Sequence, residues 1–241
     1  MSLSPLHFSF KGVECDQHGV EVLRLPALVR PALREEQITI PGRSGLLRVR
    51  DGAYEPSLGT CDCYLPYEQH RPVSDIERIS AWLTGSGWWA QSDRPYRKFR
   101  ASIVDELTYQ PVVPGFEDRI FSVSVWLEPF AYHVDSADVE LTSAGTVTNP
   151  GTAEAEPIIT ITGSGDISLT VGSRTVLIAG LTGGSITLDC EARMAYRSST
   201  NLCGIVTLSQ GTWPILPPGS TQISWTGSVT KVKITPNWRD I

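Results

Sequence analysis

Alternating apolar and polar positions predict antiparallel β-strands in the first half of the chain. Phe99, Ala101 and Ile103 alternate with basic and hydroxyl side chains, and the range 119–130 follows the same period. A two-residue period is typical of a strand with one face covered and the other in water. We therefore expect two long strands here, each with one apolar face packed on a core.

Shorter elements are predicted before these strands. Leu6, Phe8 and Phe10 fall on one side of an opening strand. Clusters of Gly, Pro and Asp interrupt the apolar pattern further on, and such clusters favour turns. We expect a second strand from Val20 to Leu25, a turn at Pro41–Gly45, another turn at Asp51–Pro56, and a projecting proline-rich connection at Tyr109–Asp118.

One segment has the pattern of an α-helix. Ser74 is a favourable N-cap residue, and Glu77 follows three residues later, as in a capping box. Apolar side chains then recur at helical spacing, at Ile76, Ile79, Trp82 and Leu83. Gly85 is placed to end the helix in a left-handed conformation. We expect this helix to lay one face on a sheet.

The second half has a different composition, and the change comes at about Tyr132 to Asp138. Ser, Thr and Gly dominate beyond it, without a helical pattern. We expect strands at Pro157–Thr162, Asp166–Val171, Arg174–Ile178, Ser185–Cys190 and Val229–Ile234. Gly172 and Ser173 form a predicted two-residue hairpin turn. Several short strands at this spacing indicate a β-sandwich, so the whole chain is predicted to be all-β, with one or two helices.

Length and charge limit the classes of function. The 241 residues allow one large β domain or two small ones. The formal net charge is −6, without a Lys/Arg cluster, which disfavours direct recognition of nucleic acid. No apolar run has the length of a membrane helix, and the range 1–19 lacks the pattern of a signal peptide. We expect a soluble protein that is made in a cytoplasm.

The cysteines do not predict a metal site. Five are present, at Cys15, Cys61, Cys63, Cys190 and Cys203. Cys61 and Cys63 would share one face of a strand, with His70 seven residues on, but a structural zinc site normally needs a second ligand pair. An odd number of cysteines without regular spacing is typical of buried thiols in a reducing compartment. We expect no metal and no other cofactor.

Catalytic motifs are incomplete. Gly42–Gly45 lacks the spacing of a nucleophile elbow, and Gly163–Gly165 has Ser168 where a dinucleotide site needs its third glycine; both are predicted turns. Asp189 and Glu191 would share a strand face, but surface carboxylates are common. The sequence therefore favours a protein that is not an enzyme, with a cell-wall hydrolase as an alternative.

Tryptophans are the remaining candidate functional residues. Three tryptophans cluster near the predicted helix, at Trp82, Trp88 and Trp89. Three more are spread over the second half, at Trp213, Trp225 and Trp238. Trp anchors protein cores and subunit interfaces more often than it stacks on sugars. We favour core or interface roles and keep a carbohydrate-binding adhesin module, with the C-terminal Trp residues as the platform, as an alternative.

Short motifs are distributed over almost the whole chain. The first half carries F-x-F-x-G from Phe8 to Gly12, D-x-x-G-V from Asp16 to Val20, IPGRSG from Ile40, DGAYE from Asp51 and SDRPYRKFRA from Ser92. The second half carries N-x-G at Asn149–Gly151, EPIITITGSGDI from Glu156, WPILPPG from Trp213 and ITPNWR from Ile234. In this order and spacing, the motifs resemble the distal tail proteins of long, non-contractile-tailed bacteriophages, especially those of Gram-positive hosts.

The resemblance implies two domains and a structural role. Residues 1–134 would form a β-sandwich-like belt domain that closes into a ring, most simply a homohexamer, and residues 139–241 a galectin-like β-sandwich. The ring would lie at the virion tail tip, contact the tail tube protein, the tail-tip hub protein and the receptor-binding apparatus, and let DNA pass through its lumen. No histidine follows His133, so the His-Asn-Arg cluster of galectins is absent from the second half.

Interface residues are assigned from the turn and the aromatic cluster. The predicted candidates for contacts between copies are Pro41, Gly42, Arg43, Trp82, Trp88 and Trp89.

Overall fold

A computed structural model describes residues 6–66, 74–114 and 118–241, with the side chain of Ser74 also left undescribed. The chain divides into two compact units, Met1–Ala131 with Ile241, and Tyr132–Asp240. In the described ranges the fold has twenty strands, one α-helix and two short 3-10 helices, at Cys15–His18 and Cys203–Ile205. The predicted all-β class is therefore confirmed. None of the described helices is long and apolar enough to cross a membrane.

Strands and one helix make up the first unit. The elements are β1 (Phe8–Phe10), β2 (Val13–Glu14), β3 (Glu21–Arg24), β4 (Leu33–Thr39), β5 (Leu46–Tyr54), β6 (Ser57–Leu65), α1 (Ser74–Trp82), β7 (Gly85–Gln91), β8 (Arg97–Ile103), β9 (Gln110–Pro111) and β10 (Arg119–His133). The main sheet has the order β2-β1-β7-β8-β10-β6-β3, and β9 pairs with β10. Strands β4 and β5 form a separate two-stranded sheet.

The core of the first unit lies on one face of the main sheet, because the strands alternate as predicted. Phe121, Val123 and Val125 of β10 are buried and lie on the same face as Cys63 and Cys61 of β6, with which Phe121 and Val123 pair directly. The other face of this sheet, which carries the polar positions of β6, β8 and β10, is called the outer face below.

Helix α1 covers the core face as predicted. Ile79, Trp82 and Leu83 are buried in the core of the first unit. The helix ends at Trp82, and Gly85 has a positive φ of 75°, the left-handed conformation expected there. The predicted N-cap side chain of Ser74 and the predicted ligand His70 lie outside the described residues.

The prediction of a turn at Asp51–Pro56 was wrong. Strand β5 continues through this segment to Tyr54, and the β4–β5 register shifts between Leu33 and Glu35 because β5 carries extra residues there. Gly52 accommodates the resulting bulge with a φ of 81°, and Asp51 Oδ1 accepts a hydrogen bond from Ala53 N at 2.9 Å. A bulge needs the same residue types as a turn.

The second unit contains strands throughout. They are β11 (Val139–Leu141), β12 (Gly145–Asn149), β13 (Ile158–Val171), β14 (Arg174–Leu181), β15 (Ser185–Asp189), β16 (Met194–Arg197), β17 (Thr200–Asn201), β18 (Val206–Leu208), β19 (Gly219–Thr235) and β20 (Arg239–Asp240). The predicted hairpin turn is confirmed: Val171 pairs with Arg174, and Gly172 has a φ of 59°.

Strands β13 and β19 change partners along their length. The first part of β13 pairs with β15, and its last part pairs with β14. Side chains from both parts, including Ile161 and Leu169, belong to one core, so the sheet curls over itself. The prediction of a turn at Gly163–Gly165 was wrong, because β13 runs through this segment with an irregular register against β19.

The beginning and the end of the second unit lie side by side. His133 N donates a hydrogen bond of 2.9 Å to the carbonyl oxygen of Trp238, and the His133 ring lies 3.0 Å from an Asp240 carboxylate oxygen. Strand β20 pairs with β10 at this place. The chain therefore leaves the second unit next to the point where it enters.

Candidate assembly surfaces

A two-stranded hairpin projects from the first unit as a separate sheet. We call the range Leu33–Tyr54, strands β4 and β5 with their turn, the hairpin arm. Its tip is a type II turn, in which Pro41 precedes Gly42, Gly42 has a φ of 80°, and Arg43 N donates to the Ile40 carbonyl oxygen at 3.1 Å. An isolated two-stranded hairpin is only marginally stable in water, so this arm is suited to packing on something else.

One face of the hairpin arm is polar and internally paired. Glu35 lies 3.0 Å from Arg50 and 3.5 Å from Arg48, and Gln37 Nε2 donates to Glu35 at 3.0 Å. The hydrogen bond from Gln37, followed by that from Arg50, lowers the pKa of the Glu35 carboxyl. These contacts favour the ionised carboxylate, and this face of the hairpin arm therefore has its own charge partners.

The opposite face of the hairpin arm is mainly aliphatic and uncovered, and Glu36 is a charged side chain on it. Ile38 pairs directly with Leu47, and Glu36 with Val49, so these side chains share a face. The exposed fractions are 37 % for Ile38, 37 % for Leu47 and 47 % for Val49. Contiguous exposed apolar side chains of this kind mark interaction surfaces.

The interface candidates assigned from the predicted turn are at the tip of the hairpin arm. Pro41, Gly42 and Arg43 are all exposed. Among the described side chains, none forms an ion pair with Arg43. The turn therefore presents a free guanidinium group beyond the aliphatic face.

Trp82 and Trp89 are core residues of the subunit. Trp82 Nε1 donates to the Phe10 carbonyl oxygen at 2.9 Å, and the Trp89 ring stacks on Phe8 with centroids 4.2 Å apart. Their exposed fractions are 9 % and 0 %. Of the two roles that the sequence allows for them, these side chains have the core role, and their indole rings are not available on the surface.

Trp88 lies on the outer face, opposite to its neighbour Trp89. Lys98 and Arg100 of β8 lie over its ring, at 4.5 Å and 5.5 Å from the centroid. Further along the same face, Trp126 of β10 pairs directly with Leu58 of β6, and both are partly exposed. Trp88 thus remains a candidate for contacts between copies, and Trp126 joins it.

An acidic groove opens elsewhere on the outer face. We give this name to the cavity of about 610 Å³ whose walls include Leu23, Asp62, Asp105, Glu106, Ile120 and Ser124. Asp62 is paired with Arg24 at 2.9 Å, whereas no described side chain forms an ion pair with Asp105 or Glu106. Leu23 and Ile120 are exposed in it, so the groove combines apolar walls with free negative charge.

Sequence reasoning missed the acidic groove. Asp105 and Glu106 lie two and three residues beyond Ile103, where β8 ends, and two consecutive acids at such a place are typical of an ordinary solvated connection. The available signal was Ile120, an apolar residue at a position of β10 where the two-residue period predicts the outer face.

The other sequence candidates are part of the packing. Cys61 and Cys63 are fully buried with their sulfur atoms 3.7 Å apart, as predicted for a buried strand face. The described residues contain no group of three or more potential metal ligands. In the second unit, Trp238 is buried, and Trp213 and Trp225 pack partly against the core.

The chain is similar in fold to a protein of known structure. No protein-family model matches the sequence, and no curated protein matches it. Among solved structures, the chain is similar to the crystal structure of the SPP1 Dit (gp 19.1) protein, with a TM-score of 0.72 and 16 % identity over 95 % of this chain and 98 % of that one. That protein is described as a paradigm of the hub adsorption apparatus in phages that infect Gram-positive bacteria. At this identity, the comparison shows that the two chains share a fold.

Proposed function

We propose that this chain is a structural building block of a phage tail tip. Copies of it join through their first units into a ring, for which six subunits is the expected number. The ring connects the tail tube protein to the tail-tip hub protein and the receptor-binding apparatus, and DNA passes through its lumen. In this role the protein works by contact and catalyses no reaction.

The observation that carries the proposal is the extent of the shared fold. The similarity to the SPP1 Dit protein covers nearly all of both chains, so it includes both units. The sequence motifs at Ile40–Gly45, Ser92–Ala101 and Trp213–Gly219 resemble distal tail proteins independently of the fold. A shared fold alone does not carry function, and the agreement with these motifs adds a second line of support.

The surface of the first unit supports self-association. The aliphatic face of the hairpin arm is too exposed for a subunit that works alone, and among the described strands none pairs with the outer edge of β4 or of β5. Proteins normally cover or pair such edges. The net charge of −6 also fits a passage for DNA that must not adhere to its walls.

The test is the mass and shape of the purified full-length chain. We expect light scattering to give a discrete mass of several subunits, and negative-stain images to show rings with a central opening. Ile38→Ser together with Leu47→Ser should shift the mass towards the monomer, because the aliphatic face is removed.

A matched variant controls for general effects of polarity. Leu177→Ser changes an exposed leucine in the second unit and should leave the mass unchanged. A wild-type monomer at all concentrations, both alone and with the tail tube and hub proteins of the same phage, would contradict the proposal. Turnover of peptidoglycan by the pure protein would contradict it as well.

A further inference from the structure

We propose that the hairpin arm of one copy docks into the acidic groove of the neighbouring copy. The inference rests on the proposed function, because it assigns the two surfaces that join successive subunits of the ring.

The apolar parts of the two surfaces match. The hairpin arm offers Ile38, Leu47 and Val49 on one continuous face. The acidic groove offers exposed Leu23 and Ile120. Removing such side chains from water on both sides is the main favourable contribution to association. The groove volume of about 610 Å³ accommodates several side chains of the hairpin face.

The charges of the two surfaces are complementary at the tip of the hairpin arm, whereas the exposed Glu36, which pairs with Val49, adds one negative charge to the aliphatic face. Arg43 projects at the tip of the hairpin arm, and Asp105 and Glu106 line the groove. No described side chain forms an ion pair with any of the three, so each is available to a neighbour. Complementary charges of this kind fix the register of an interface and exclude wrong partners.

We assign a second copy of the chain as the partner that fills the acidic groove. Every subunit carries both the hairpin arm and the groove, and the two surfaces are different. Contact between different surfaces is heterologous, and repeated heterologous contact generates a ring when the rotation closes. A two-fold dimer would instead bring identical surfaces together. The arm also has the reach, since the seven residues of β4 span roughly 23 Å.

The tip geometry favours docking. Pro41 has a restricted φ, and the hydrogen bond from Arg43 N to Ile40 closes the turn. A preformed turn loses less conformational entropy when it binds.

Charge reversal and its rescue test the inference. Arg43→Glu alone, and Asp105→Arg with Glu106→Arg, should each weaken self-association of the full-length chain about tenfold or more, measured by light scattering over a dilution series. The variant that combines all three substitutions should recover most of the lost association, because the charges are again complementary. All three positions are exposed, so circular dichroism should show folded subunits. Arg193→Glu, at an exposed position of the second unit, is the matched control and should associate like the wild type.

The outcomes separate this inference from the proposed function. A wild-type ring that neither reversal weakens, or that the triple variant fails to restore, overturns the docking while the ring stands. A wild-type chain that remains monomeric alone and with its tail partners overturns both.

A crosslinking measurement gives the location directly. A photoreactive benzoylphenylalanine replaces Leu47, and the joined peptides are identified by mass spectrometry. We expect crosslinks between copies to Leu23 or to the ranges 105–110 and 120–124. Crosslinks between copies confined to other regions would overturn the docking.

Discussion

Trp82 Nε1 donates a hydrogen bond of 2.9 Å to the backbone carbonyl oxygen of Phe10, and both side chains are buried. This contact ties helix α1 to strand β1. Trp82→Phe removes the donor and leaves the carbonyl oxygen without this partner. We expect the free energy of unfolding of the first unit to fall by about 1–3 kcal/mol, measured by urea denaturation with circular dichroism. Trp88→Phe, on the outer face, should change the free energy of unfolding by less than about 1 kcal/mol. An equal loss for the two variants would contradict a stabilising role for the Trp82–Phe10 hydrogen bond.

Asn149 organises a buried loop junction in the second unit. Its Nδ2 donates to the carbonyl oxygens of Leu216 and Ala153, at 2.8 Å and 3.0 Å, and its Oδ1 accepts from Gly151 N at 2.8 Å. Asn149→Ala should destabilise the second unit by about 3 kcal/mol, because three buried backbone groups lose a partner. The neighbouring exposed Thr148→Ala should cost less than about 1 kcal/mol. Similar unfolding midpoints for the two variants would contradict this role.

Gly163 is required by a close approach of two strands. A Cβ atom at this position would lie 2.3 Å from the Ser228 carbonyl oxygen. Because that neighbour is backbone, Gly163→Ala should destabilise the second unit by more than about 2 kcal/mol in urea unfolding. Gly204→Ala is the matched control, since nothing lies within 4 Å of its Cβ position. If the two variants unfold at the same urea concentration, the contact between Gly163 and the Ser228 backbone does not require a glycine.

Buried thiols should make stability fall at alkaline pH. Burial raises the pKa of Cys190 and of Cys15, and the hydrogen bond with Cys61, followed by burial, raises that of Cys63. The folded chain therefore retains these protons above about pH 8.5, where thiols of the unfolded chain lose them. The stabilisation is complete below that pH, and it decreases above it by about 1.4 kcal/mol per pH unit and thiol.

Cys190→Ala isolates one of these contributions. Urea unfolding between pH 7 and 9.5 under reducing conditions should show a shallower alkaline decline for this variant in the second unit. Cys203→Ala, at a partly exposed position, serves as the control. If stability falls with pH equally steeply in Cys190→Ala and in the wild type, the buried Cys190 thiol does not contribute to the alkaline decline.

The core strands were predictable from the sequence, and some glycine-rich segments were not. Phe99 and Phe121 lie in strands whose alternation directly reports which side chains are buried. The sequence predicts turns at Gly52 and Gly163, and both glycines lie within strands. The same residue allows a turn, a bulge or a close strand contact, and only the pairing with a distant strand decides among them.

The candidate surfaces were harder to predict than the fold. Trp88 and Trp89 are adjacent in sequence, but a strand sends neighbouring side chains to opposite faces, so the register puts one in the core and the other on the outer face. Ile38 and Leu47 have the pattern of buried strand residues and are exposed in the subunit. Sequence periodicity indicates that a face is apolar, but it does not indicate what covers that face.

The pairing of β10 with β20 has a consequence for how such chains diversify. His133 and Asp240 are neighbours. The second unit is therefore a module whose first and last residues lie close together. Modules of this kind tolerate insertion and exchange, since a replacement has to bridge only one short gap. An exchange of this module would leave the pairing of β10 with β6 and β8 in place, and only the end of β10 would need a new partner in place of β20.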